Sequence, residues 1–562
     1  MPRRSLTRLY RDEFSSYSLA TFKKDFIAGL SVAAVALPLA LAFGVASGAG
    51  AAAGLITSII GGLVIGALGG APYQISGAKA VTSVVLIVLL NRYGLEGVWL
   101  TTLFSGLFML TIGLFKLGRY IAFIPAPVIR GFTLGIGLII IIRQFDNLLG
   151  IKTPITETAA QKFIGYFNES FTVNPHTIIL GLLVIAIMFL YPKKWNGYFP
   201  SSLTALIVAA LLNWTLGWSA AIIGEIPRTL ILEQRISFTD IPWADLPDFI
   251  APALTLTALG SIEAFLCGAV GSNLTGVRLQ VNQQLIGQGL GNITLPFFGA
   301  IPTTSAMIRT RVAIESGAQT RLTSIIHSLI LMMVMLSFAP FIGKIPVAAL
   351  AGVLMVTAVR SNEWDAIKRI FGKRFKTDMI AFTIAMIGTV VLNLTTAILV
   401  GTFLAGAVFL NKIAGIDIQV QDVDIERLKQ RGIETSGKCK HVRVAFMTGP
   451  LFFAATGQFD EAFANLKDTH ALILSMRGVP LIDTEGLEEI HRLHQRLNKQ
   501  GGTLMFAGLH DNARAMMERD GLDKIIGEEN FFWSSDQAIV EAERRGCPFC
   551  ESEKQESPPV SA

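Results

Sequence analysis

Gly299-Ala-Ile-Pro-Thr-Thr-Ser-Ala-Met-Ile-Arg-Thr-Arg311 interrupts a long hydrophobic region with a proline, hydroxyl side chains and two arginines. An earlier stretch, Gly70-Ala-Pro-Tyr-Gln-Ile-Ser-Gly-Ala-Lys-Ala-Val-Thr82, has the same Gly-Ala start, a proline and several small residues. Paired interruptions at matching places in two hydrophobic halves are typical of a transporter binding site. The pair therefore predicts a membrane transporter built from two related halves.

Composition divides the chain into two parts. Hydrophobic residues make up 52% of the 562 residues and charged residues 16%, and the charges are sparse between Phe26 and Lys412 but dense afterwards. This pattern predicts a large integral membrane domain followed by a small soluble one. The net charge of +6 comes largely from Lys and Arg between the hydrophobic segments, as in the cytoplasmic loops of membrane proteins, so nucleic-acid binding is not expected.

Apolar runs of about the length of a membrane-spanning helix follow a basic segment, residues 1–25, that lacks the apolar core of a signal peptide. Fourteen runs lie near 26–47, 51–69, 74–91, 98–115, 120–142, 176–191, 200–217, 249–271, 283–299, 302–316, 322–341, 345–359, 377–394 and 396–411. Seven runs in each half force opposite orientations, so the predicted fold is an α-helical polytopic membrane protein with a 7+7 inverted repeat. Basic loops on the side of the N-terminus predict cytoplasmic termini in the plasma (bacterial inner) membrane.

The part of the chain after the membrane domain (26–413) alternates between strand and helix patterns. Residues 414–437 are interpreted as a linker, and strands are predicted at 441–447, 471–476 and 503–507, with helices at 457–466, 484–500 and 512–518. This alternation predicts a small, mostly parallel sheet covered by helices over 438–546.

The last segment, 547–562, is polar and contains prolines, so it is expected to be disordered. Cys547 and Cys550 have no second thiol pair to complete a zinc site, so neither a metal nor another cofactor is expected. The membrane half has no nucleotide-binding loop and no nucleophile triad, so an enzyme is not expected.

Two interrupted helices can form an anion site without a cofactor. A helix N-terminus offers unpaired N–H groups and about half a positive charge, and the stretches after Pro72 and Pro302 would supply two such ends. The hydroxyl groups of Ser76, Thr82, Thr303, Thr304 and Ser305 are expected to add donors. The alternative is that these small residues only permit close helix packing.

Three charged residues in the hydrophobic segments are candidates for function, because charges are costly in a membrane. Lys79 would supply positive charge at the anion site, and Glu263 would balance it or take up a coupling proton, which apolar surroundings favour. The alternative for this pair is a structural ion pair that only joins two helices. Arg309 is either part of the site or a cytoplasmic anchor at a helix end.

At these residues the chain resembles the SulP family of anion transporters, whose members end in a STAS domain. The stretches that carry the resemblance are Ala36-Leu-Pro-Leu-Ala-Leu-Ala-Phe-Gly44, Gln74-Ile-Ser-Gly-Ala-Lys-Ala80, Ser261-Ile-Glu-Ala-Phe-Leu266, Asn282-Gln-Gln-Leu-Ile-Gly-Gln-Gly-Leu-Gly-Asn292, Arg309-Thr-Arg-Val-Ala-Ile-Glu-Ser-Gly-Ala-Gln-Thr-Arg321 and Pro480-Leu-Ile-Asp-Thr-Glu-Gly486. The resemblance implies core and gate subdomains, elevator-type alternating access, a homodimer, and a cytoplasmic α/β STAS domain.

The resemblance also implies site residues. Those implied for substrate binding are Phe43, Gly77, Ala78, Lys79, Ser305, Ala306, Met307 and Arg309. Glu263 and Cys267 match an aspartate and a threonine that bind sodium in the bicarbonate-transporting branch. Because a thiol is a poor ligand for a hard cation and Lys79 replaces a hydroxyl residue, sodium coupling is disfavoured; a proton taken up by Glu263, or Lys79 taking the place of the cation, is expected instead. Thr484 matches a phosphorylated position of regulatory STAS proteins, and the alternative for it is an ordinary helix N-cap.

These observations predict a secondary active transporter of a small inorganic anion, bicarbonate or sulfate, that is surrounded by membrane lipid and proton-coupled through Glu263. The STAS domain would regulate or dimerise it, or bind a cytoplasmic protein partner. The alternatives are an anion-binding membrane sensor or scaffold, and an uncoupled channel or exchanger of the same fold. A nucleobase transporter is disfavoured by the STAS-like domain and by Lys79.

Overall fold

The chain forms two compact units, Met1–Ala405 and Gly406–Ala562. The computed structural model describes residues 6–118, 125–154, 156, 158–168, 171–192, 194–195, 199–237, 246–392, 400, 403, 406–408, 410, 415–430, 432–433, 439–466 and 468–547. All statements below concern these residues. The predicted span at 396–411 lies largely outside them, and the expected number of fourteen spans stays a prediction.

The first unit is helical. Its described helices are α1 (Leu6–Phe14), α2 (Leu19–Ala46), α3 (Ala51–Leu68), α4 (Ala80–Leu114), α5 (Ala126–Leu149), α6 (Ala159–Asn168), α7 (Pro175–Leu190), α8 (Ser201–Thr215), α9 (Leu246–Thr275), α10 (Val281–Thr294), α11 (Met307–Glu315), α12 (Leu322–Ile342), α13 (Val347–Arg360), α14 (Trp364–Gly372) and α15 (Lys376–Val391). Six of these, α2, α3, α4, α5, α9 and α12, are long and apolar enough to cross a membrane, and α7, α8 and α13 are shorter apolar helices.

The runs predicted at 74–91 and 98–115 meet in α4. Gly94 breaks this helix with a left-handed backbone (φ 67°), which a glycine adopts at little cost, so α4 consists of two helical segments. Helices α1, α6 and α14 were not among the predicted elements. They are short and amphipathic, so a search for long apolar runs does not find them.

Small residues bring the backbones of neighbouring helices together. A Cβ atom on Gly106 of α4 would lie 2.8 Å from the carbonyl oxygen of Gly289 of α10 and 2.7 Å from the amide nitrogen of Ile293. Within a membrane the hydrophobic effect does not drive helices together, so they associate through close van der Waals packing, which small residues permit. At these positions the need for close helix packing is enough to explain the glycine, and no role in anion binding is required.

Two buried charges tie the first 25 residues to the second half of the membrane unit. Arg321, at the start of α12, donates from Nε to Glu13 Oε2 at 2.6 Å, and its guanidinium lies over the Tyr10 ring at 4.3 Å. Asp25 of α2 is fully buried and accepts four hydrogen bonds from residues 319–323. The face of the unit that carries α1 and these contacts is called the N-terminal face, and the opposite one the far face.

The second unit is an α/β domain. The first unit contains two short strands, β1 (Ser76–Gly77) and β2 (Thr304–Ser305). The strands of the second unit are β3 (Asp417–Asp422), β4 (Val442–Thr448), β5 (Ala471–Gly478), β6 (Thr503–Ala507) and β7 (Phe531–Phe532), in the order β3-β4-β5-β6-β7. Strands β4 to β7 are parallel and β3 is antiparallel to β4. The helices are α16 (Ile425–Gln430), α17 (Thr456–Ala462), α18 (Thr484–Lys499), α19 (Asp511–Asp520), α20 (Leu522–Ile526) and α21 (Ser535–Arg544).

The expected parallel sheet is therefore present, with one difference. Strand β3 and helix α16 lie within residues 414–437, which the sequence pattern describes as a linker. Strand β3 alternates polar residues with Ile418 and Val420, which pack against the core of this unit, but two apolar positions in a polar stretch are a weak strand signal.

Candidate functional site

The two interrupted segments meet in the middle of the membrane unit. Strand β1 (Ser76–Gly77) pairs antiparallel with β2 (Thr304–Ser305), with Ser76 opposite Ser305 and Gly77 opposite Thr304. The N–H of Ala306 also donates to the carbonyl of Ile75 at 2.8 Å. Antiparallel pairing of these two stretches is what two oppositely oriented repeats would produce.

Each strand leads directly into a helix. Helix α4 begins after Lys79 and α11 begins after Ala306, and neither N-terminus has a side-chain cap. The first N–H groups of a helix have no partner within the helix, and both ends border the same cavity. Two partial positive charges are thus directed at one point, as expected for an anion site.

A cavity of about 160 Å³ lies in front of these helix ends. At about 30 Å³ per water molecule, it has room for a small inorganic anion with part of its hydration shell. Of the ten residues implied for substrate or coupling-ion binding, seven line the cavity: Phe43, Ala78, Lys79, Glu263, Ala306, Met307 and Arg309. The structure thus brings together residues from α2, α4, α9 and α11 that are distant in sequence.

Lys79 and Glu263 form an ion pair at the cavity wall. Lys79 Nζ donates to Glu263 Oε1 at 2.6 Å and to the Ser305 carbonyl at 3.0 Å, and Thr304 Oγ1 donates to Glu263 Oε2 at 2.5 Å. The side chains are 22% and 13% exposed, so both remain in contact with the cavity. The contact that sequence reasoning proposed is present, and because the pair borders the cavity it can also act on an anion there.

Arg309 lines the cavity from a buried position and does not lie at a helix end that faces solvent. It is 1% exposed, Nη1 donates to Ser58 Oγ at 3.1 Å, and Nη2 donates to the Ala78 carbonyl at 3.2 Å. The alternative of a cytoplasmic anchor is therefore wrong. Gly77 makes this position possible, since a Cβ atom there would overlap with Arg309 Nη1. Ser58 was not predicted to be a site residue, because in the sequence of α3 it looks like any other small residue that permits helix packing.

The hydroxyl groups that were expected to donate to the anion point elsewhere. Thr82 Oγ1 donates to the Lys79 carbonyl at 2.8 Å, Thr304 binds Glu263, and Ser305 Oγ accepts from Gln288. None of the five predicted hydroxyl residues lines the cavity. Thr82 thus binds a backbone carbonyl and Thr304 and Ser305 bind side chains, so the expected hydroxyl donors do not border the cavity in this arrangement, and their role in anion binding stays a prediction.

Gly77, Ser305 and Cys267, the remaining residues of the implied site, lie behind the cavity lining. The Cys267 thiol is buried and donates to Thr310 Oγ1 at 3.2 Å, and the same oxygen accepts the N–H of Ile75 at 3.0 Å. In this arrangement Cys267 supports β1 through Thr310, and its part in binding a coupling ion stays a prediction.

Carboxamides of α10 satisfy backbone groups that the interruptions leave unpaired. Asn292 Oδ1 accepts the N–H of Thr303 at 2.8 Å, while its Nδ2 donates to the carbonyl of the same residue at 3.1 Å. Gln288 Nε2 donates to Ser305 Oγ at 2.7 Å, and Gln284 Oε1 accepts the N–H of Gly70 at 2.8 Å. The polar run 282–292 therefore holds the broken segments in place, as expected for residues that pack and hydrogen-bond.

Sequence reasoning missed the opposite wall of the cavity. Helices α5, α13 and α15 contribute it, with Val128, Phe132, Ile136, Leu354 and Ala385 among the lining residues. These apolar residues lie in uninterrupted apolar helices, so neither a charge nor a break distinguishes them in the sequence.

In the second unit, Thr484 is the first residue of α18 and is exposed. The cap of this helix is Asp483, whose Oδ1 accepts the N–H of Gly486 at 2.9 Å, so the alternative of Thr484 as N-cap is wrong. Cys547 is buried, while Cys550 lies outside the described residues. No cluster of three or more His, Cys, Asp or Glu residues suited to a metal occurs in the described part of the chain.

Comparisons with known proteins agree with this architecture. The family model described as "Sulfate permease family" matches residues 22–388, and that of the STAS domain matches residues 434–538. YvdB of Bacillus subtilis (strain 168), named "Putative sulfate transporter", is 29% identical over 94% of this chain and 99% of its own.

Two solved structures are similar to the chain. The transmembrane domain of a cyanobacterium bicarbonate transporter, BicA, is 30% identical with a TM-score of 0.61, and the match covers 68% of this chain and 98% of that one. The murine Solute Carrier 26 family member A9 anion transporter, in its inward-facing state, has a TM-score of 0.83 at 18% identity and covers 97% and 99%. These similarities confirm the predicted fold class, a helical membrane domain followed by an α/β STAS domain.

Proposed function

The chain belongs to the sulfate permease family, and from this we propose that it is a secondary active transporter of bicarbonate or sulfate in the plasma membrane. The observation that carries the proposal is the cavity bordered by two uncapped helix N-termini and by three charged side chains. Lys79 and Arg309 contribute two positive charges and Glu263 one negative charge, so the described wall has a net charge of +1. Such a site attracts small anions.

The arrangement also supports alternating access by an elevator motion. One cavity wall comes from α2, α4, α9 and α11, which hold the charged residues, and the other is the mainly apolar surface of α5, α13 and α15. A mainly apolar wall makes few bonds to the anion, so the first group of helices can carry the bound anion past it. The cavity extends to Val128 and Ser361, at the ends of α5 and α13 on the N-terminal face, which favours an inward-facing state.

Glu263 is the proposed coupling group. Protonation of its carboxylate would leave the Lys79 ammonium without its counter-charge and raise the net charge of the wall from +1 to +2, which strengthens anion binding. Lys79 Nζ lies between oxygen atoms of Glu263 and Ser305, where a bound cation would need to sit. Proton coupling is therefore favoured over sodium coupling.

The remaining parts of the proposal concern organisation. Both termini are cytoplasmic, the transporter is a homodimer in the lipid bilayer, and the STAS domain regulates or dimerises it or binds a protein partner. Thr484, exposed at the start of α18, is the proposed phosphorylation site, since a phosphate is favoured at a helix N-terminus. The proposed division is 1–25, 26–413 (transport), 414–437, 438–546 (STAS) and 547–562, with β3 extending the STAS sheet into the third segment.

The test is uptake of labelled bicarbonate and sulfate into proteoliposomes under separately imposed proton and sodium gradients. Uptake of either anion driven by the proton gradient is expected, and Glu263→Gln is expected to abolish the response to that gradient. Glu315→Gln is the matched control, because Glu315 is exposed and pairs only with Arg311 in the described structure.

Four results would contradict parts of the proposal. Sodium-driven uptake, or an unchanged proton response in Glu263→Gln, would remove Glu263 from coupling while leaving anion transport in place. Anion binding without uptake under any gradient would favour the sensor or scaffold instead, and uptake that ignores both gradients would favour a channel or exchanger.

A further inference from the structure

The short helix α14 (Trp364–Gly372) is amphipathic and joins α13 to α15 on the N-terminal face of the membrane unit. Its inner side is formed by Ile367 and Ile370, which are only 9% and 4% exposed. Glu363, the residue before the helix, accepts a hydrogen bond from Nε of Arg130, near the start of α5, at 2.8 Å. The helix is thus attached to α5, α13 and α15, the helices that form the mainly apolar wall of the central cavity.

Three aromatic side chains in and next to this helix are exposed. Trp364, Phe371 and Phe375 are 42%, 39% and 46% exposed, although removing such rings from water is favourable. Trp364 and Phe371 are seven residues apart, which is close to two helical turns, so they lie on the same side of α14. Trp364 Nε1 donates to the Val359 carbonyl at 2.8 Å, so the protein itself satisfies the polar atom of this side chain. Aromatic rings along one side of an amphipathic helix are typical of a helix at the boundary between membrane and water.

A cluster of five cationic side chains accompanies these rings. It consists of Lys368, Arg369, Lys373, Arg374 and Lys376 and is called the basic patch below. All five are exposed, and none of their side chains forms an ion pair or a hydrogen bond within the described part of the chain. Glu363 is paired with Arg130, so the basic patch has only Asp365 and Asp378 of the same stretch as nearby negative charges. The surface around α14 is therefore strongly cationic.

The turn between α14 and α15 keeps one of these cations at a conformational cost. Arg374 has a left-handed backbone (φ 54°), a conformation in which a glycine would be less strained. A strained backbone that carries a charged side chain is a reason to look for a function of that side chain.

We propose that α14 and the basic patch bind the anionic headgroups of phospholipids in the membrane leaflet that borders the N-terminal face. Clusters of Lys and Arg next to membrane-spanning helices attract anionic lipids. The exposed rings next to the cations require an apolar neighbour, which acyl chains below the headgroups supply, so a lipid surface matches both features better than an acidic protein does. This inference goes beyond the proposed transport function and does not depend on which anion is transported.

Headgroups bound at α14 would hold the apolar wall of the central cavity at the membrane surface. Helix α14 is continuous with α13 and α15, and the pair between Glu363 and Arg130 joins it to α5. In the proposed elevator motion the other helices carry the anion past this wall. A wall attached to the leaflet gives that motion a stationary support.

The experiment measures quenching of tryptophan fluorescence by lipids with brominated acyl chains in proteoliposomes. Anionic phosphatidylglycerol is compared with neutral phosphatidylcholine, and the contribution of Trp364 is the difference between each protein and its Trp364→Phe variant. Phosphatidylglycerol is expected to quench Trp364 at a lower mole fraction than phosphatidylcholine does. The triple variant Lys368→Gln, Arg369→Gln and Lys373→Gln should lower this preference at least about fivefold, the factor that one cation contributes at an anionic surface.

The matched control removes three exposed cations of the second unit, Lys499, Arg519 and Lys524, by substitution with glutamine. The net charge changes equally, and the preference of Trp364 for phosphatidylglycerol is expected to stay. Added salt should weaken the preference of the unaltered protein, because exposed charges are screened.

Two results would overturn the lipid surface. Equal quenching of Trp364 by both lipids in the unaltered protein would exclude a preference for anionic lipid and favour an acidic protein as the occupant. An undiminished preference in the triple variant would remove the basic patch from lipid binding. Neither result concerns anion uptake, so the proposed transport function stands or fails separately.

A second variant guards against a loss of folding in the triple variant, which thermal unfolding would reveal. Arg374→Gly removes one cation and relieves the left-handed turn, so its unfolding midpoint should not fall. Its preference for phosphatidylglycerol is expected to be weaker than that of the unaltered protein, and an unchanged preference would overturn the proposal.

Discussion

Gly77 is the position where one added methyl group should disable the central site. A Cβ atom would overlap with Arg309 Nη1 and lie 2.8 Å from Ser58 Oγ. Arg309 is 1% exposed and is held by hydrogen bonds to Ser58 and to the Ala78 carbonyl, so its guanidinium can move away from an added methyl group only by breaking these contacts. Gly77→Ala therefore forces Arg309 away from Ser58, from the Ala78 carbonyl, or from both.

The size of the effect follows from those two bonds. A hydrogen bond that involves a charged group contributes about 1.5–3 kcal/mol, so loss of one lowers the free energy of unfolding by about 2 kcal/mol and loss of both by about 4 kcal/mol. Each ~1.4 kcal/mol lost in anion binding is a tenfold change in affinity. We therefore expect Gly77→Ala to lower anion uptake at subsaturating concentration at least about tenfold.

The assay pairs anion uptake in proteoliposomes with thermal unfolding of the detergent-solubilised protein. Gly388→Ala in α15 is the control, because a Cβ atom at Gly388 meets nothing within 4 Å. That variant should keep its uptake and its unfolding midpoint. If Gly77→Ala behaves like Gly388→Ala in both measurements, then Arg309 is not held as described and the steric argument is refuted.

Two further predictions concern α10 and the STAS domain. Asn292→Leu removes both bonds to the backbone of Thr303 and should lower the free energy of unfolding by about 2–4 kcal/mol, and Asn292→Asp, which buries a carboxylate oxygen against the Thr303 carbonyl, should lose at least as much; chemical denaturation checks both losses. Burial lowers the pKa of His494 in α18, so below about pH 6.5 the unfolded chain binds a proton that the folded domain does not. Stability of the STAS domain should therefore fall with pH in that range, and a pH series of thermal unfolding should show a smaller fall for His494→Gln.

Much of the site could be predicted because its residues break the pattern around them. Lys79 and Glu263 are charges in apolar runs, and Pro72 and Pro302 lie in the interruptions between helices, where a membrane disfavours unpaired backbone groups. Each of these signals can be read from a few neighbouring residues. A charge or an interrupted helix is energetically unfavourable in a membrane, so its presence in an apolar run indicates a function. The ion pair and the meeting of two helix N-termini follow from such exceptions.

The features that could not be predicted depend on the orientation of side chains and on contacts between residues that are distant in the sequence. The position of Arg309 was left open, because its direction depends on the absence of a side chain at Gly77, which belongs to another segment. The hydroxyl of Thr304 was expected to donate to the anion, but it donates to Glu263. The sequence alone does not show which of these two acceptors, the anion or the carboxylate, the hydroxyl binds. Strand β3 escaped notice because only two apolar residues, Ile418 and Val420, mark its inward face within a polar stretch.

The ties between the first 25 residues and α12 have a consequence for synthesis of the chain. Glu13 and Arg321 are separated by 308 positions, and at ~5–20 residues per second the ribosome needs roughly 15–60 s to make the chain between them. During that interval Glu13 and Asp25 have no access to the groups that bind them in the finished protein. The N-terminal segment therefore cannot reach its final packing before the chain up to Arg321, including the first runs of the second hydrophobic half, has been made, and completion of this packing is a late event that involves both halves.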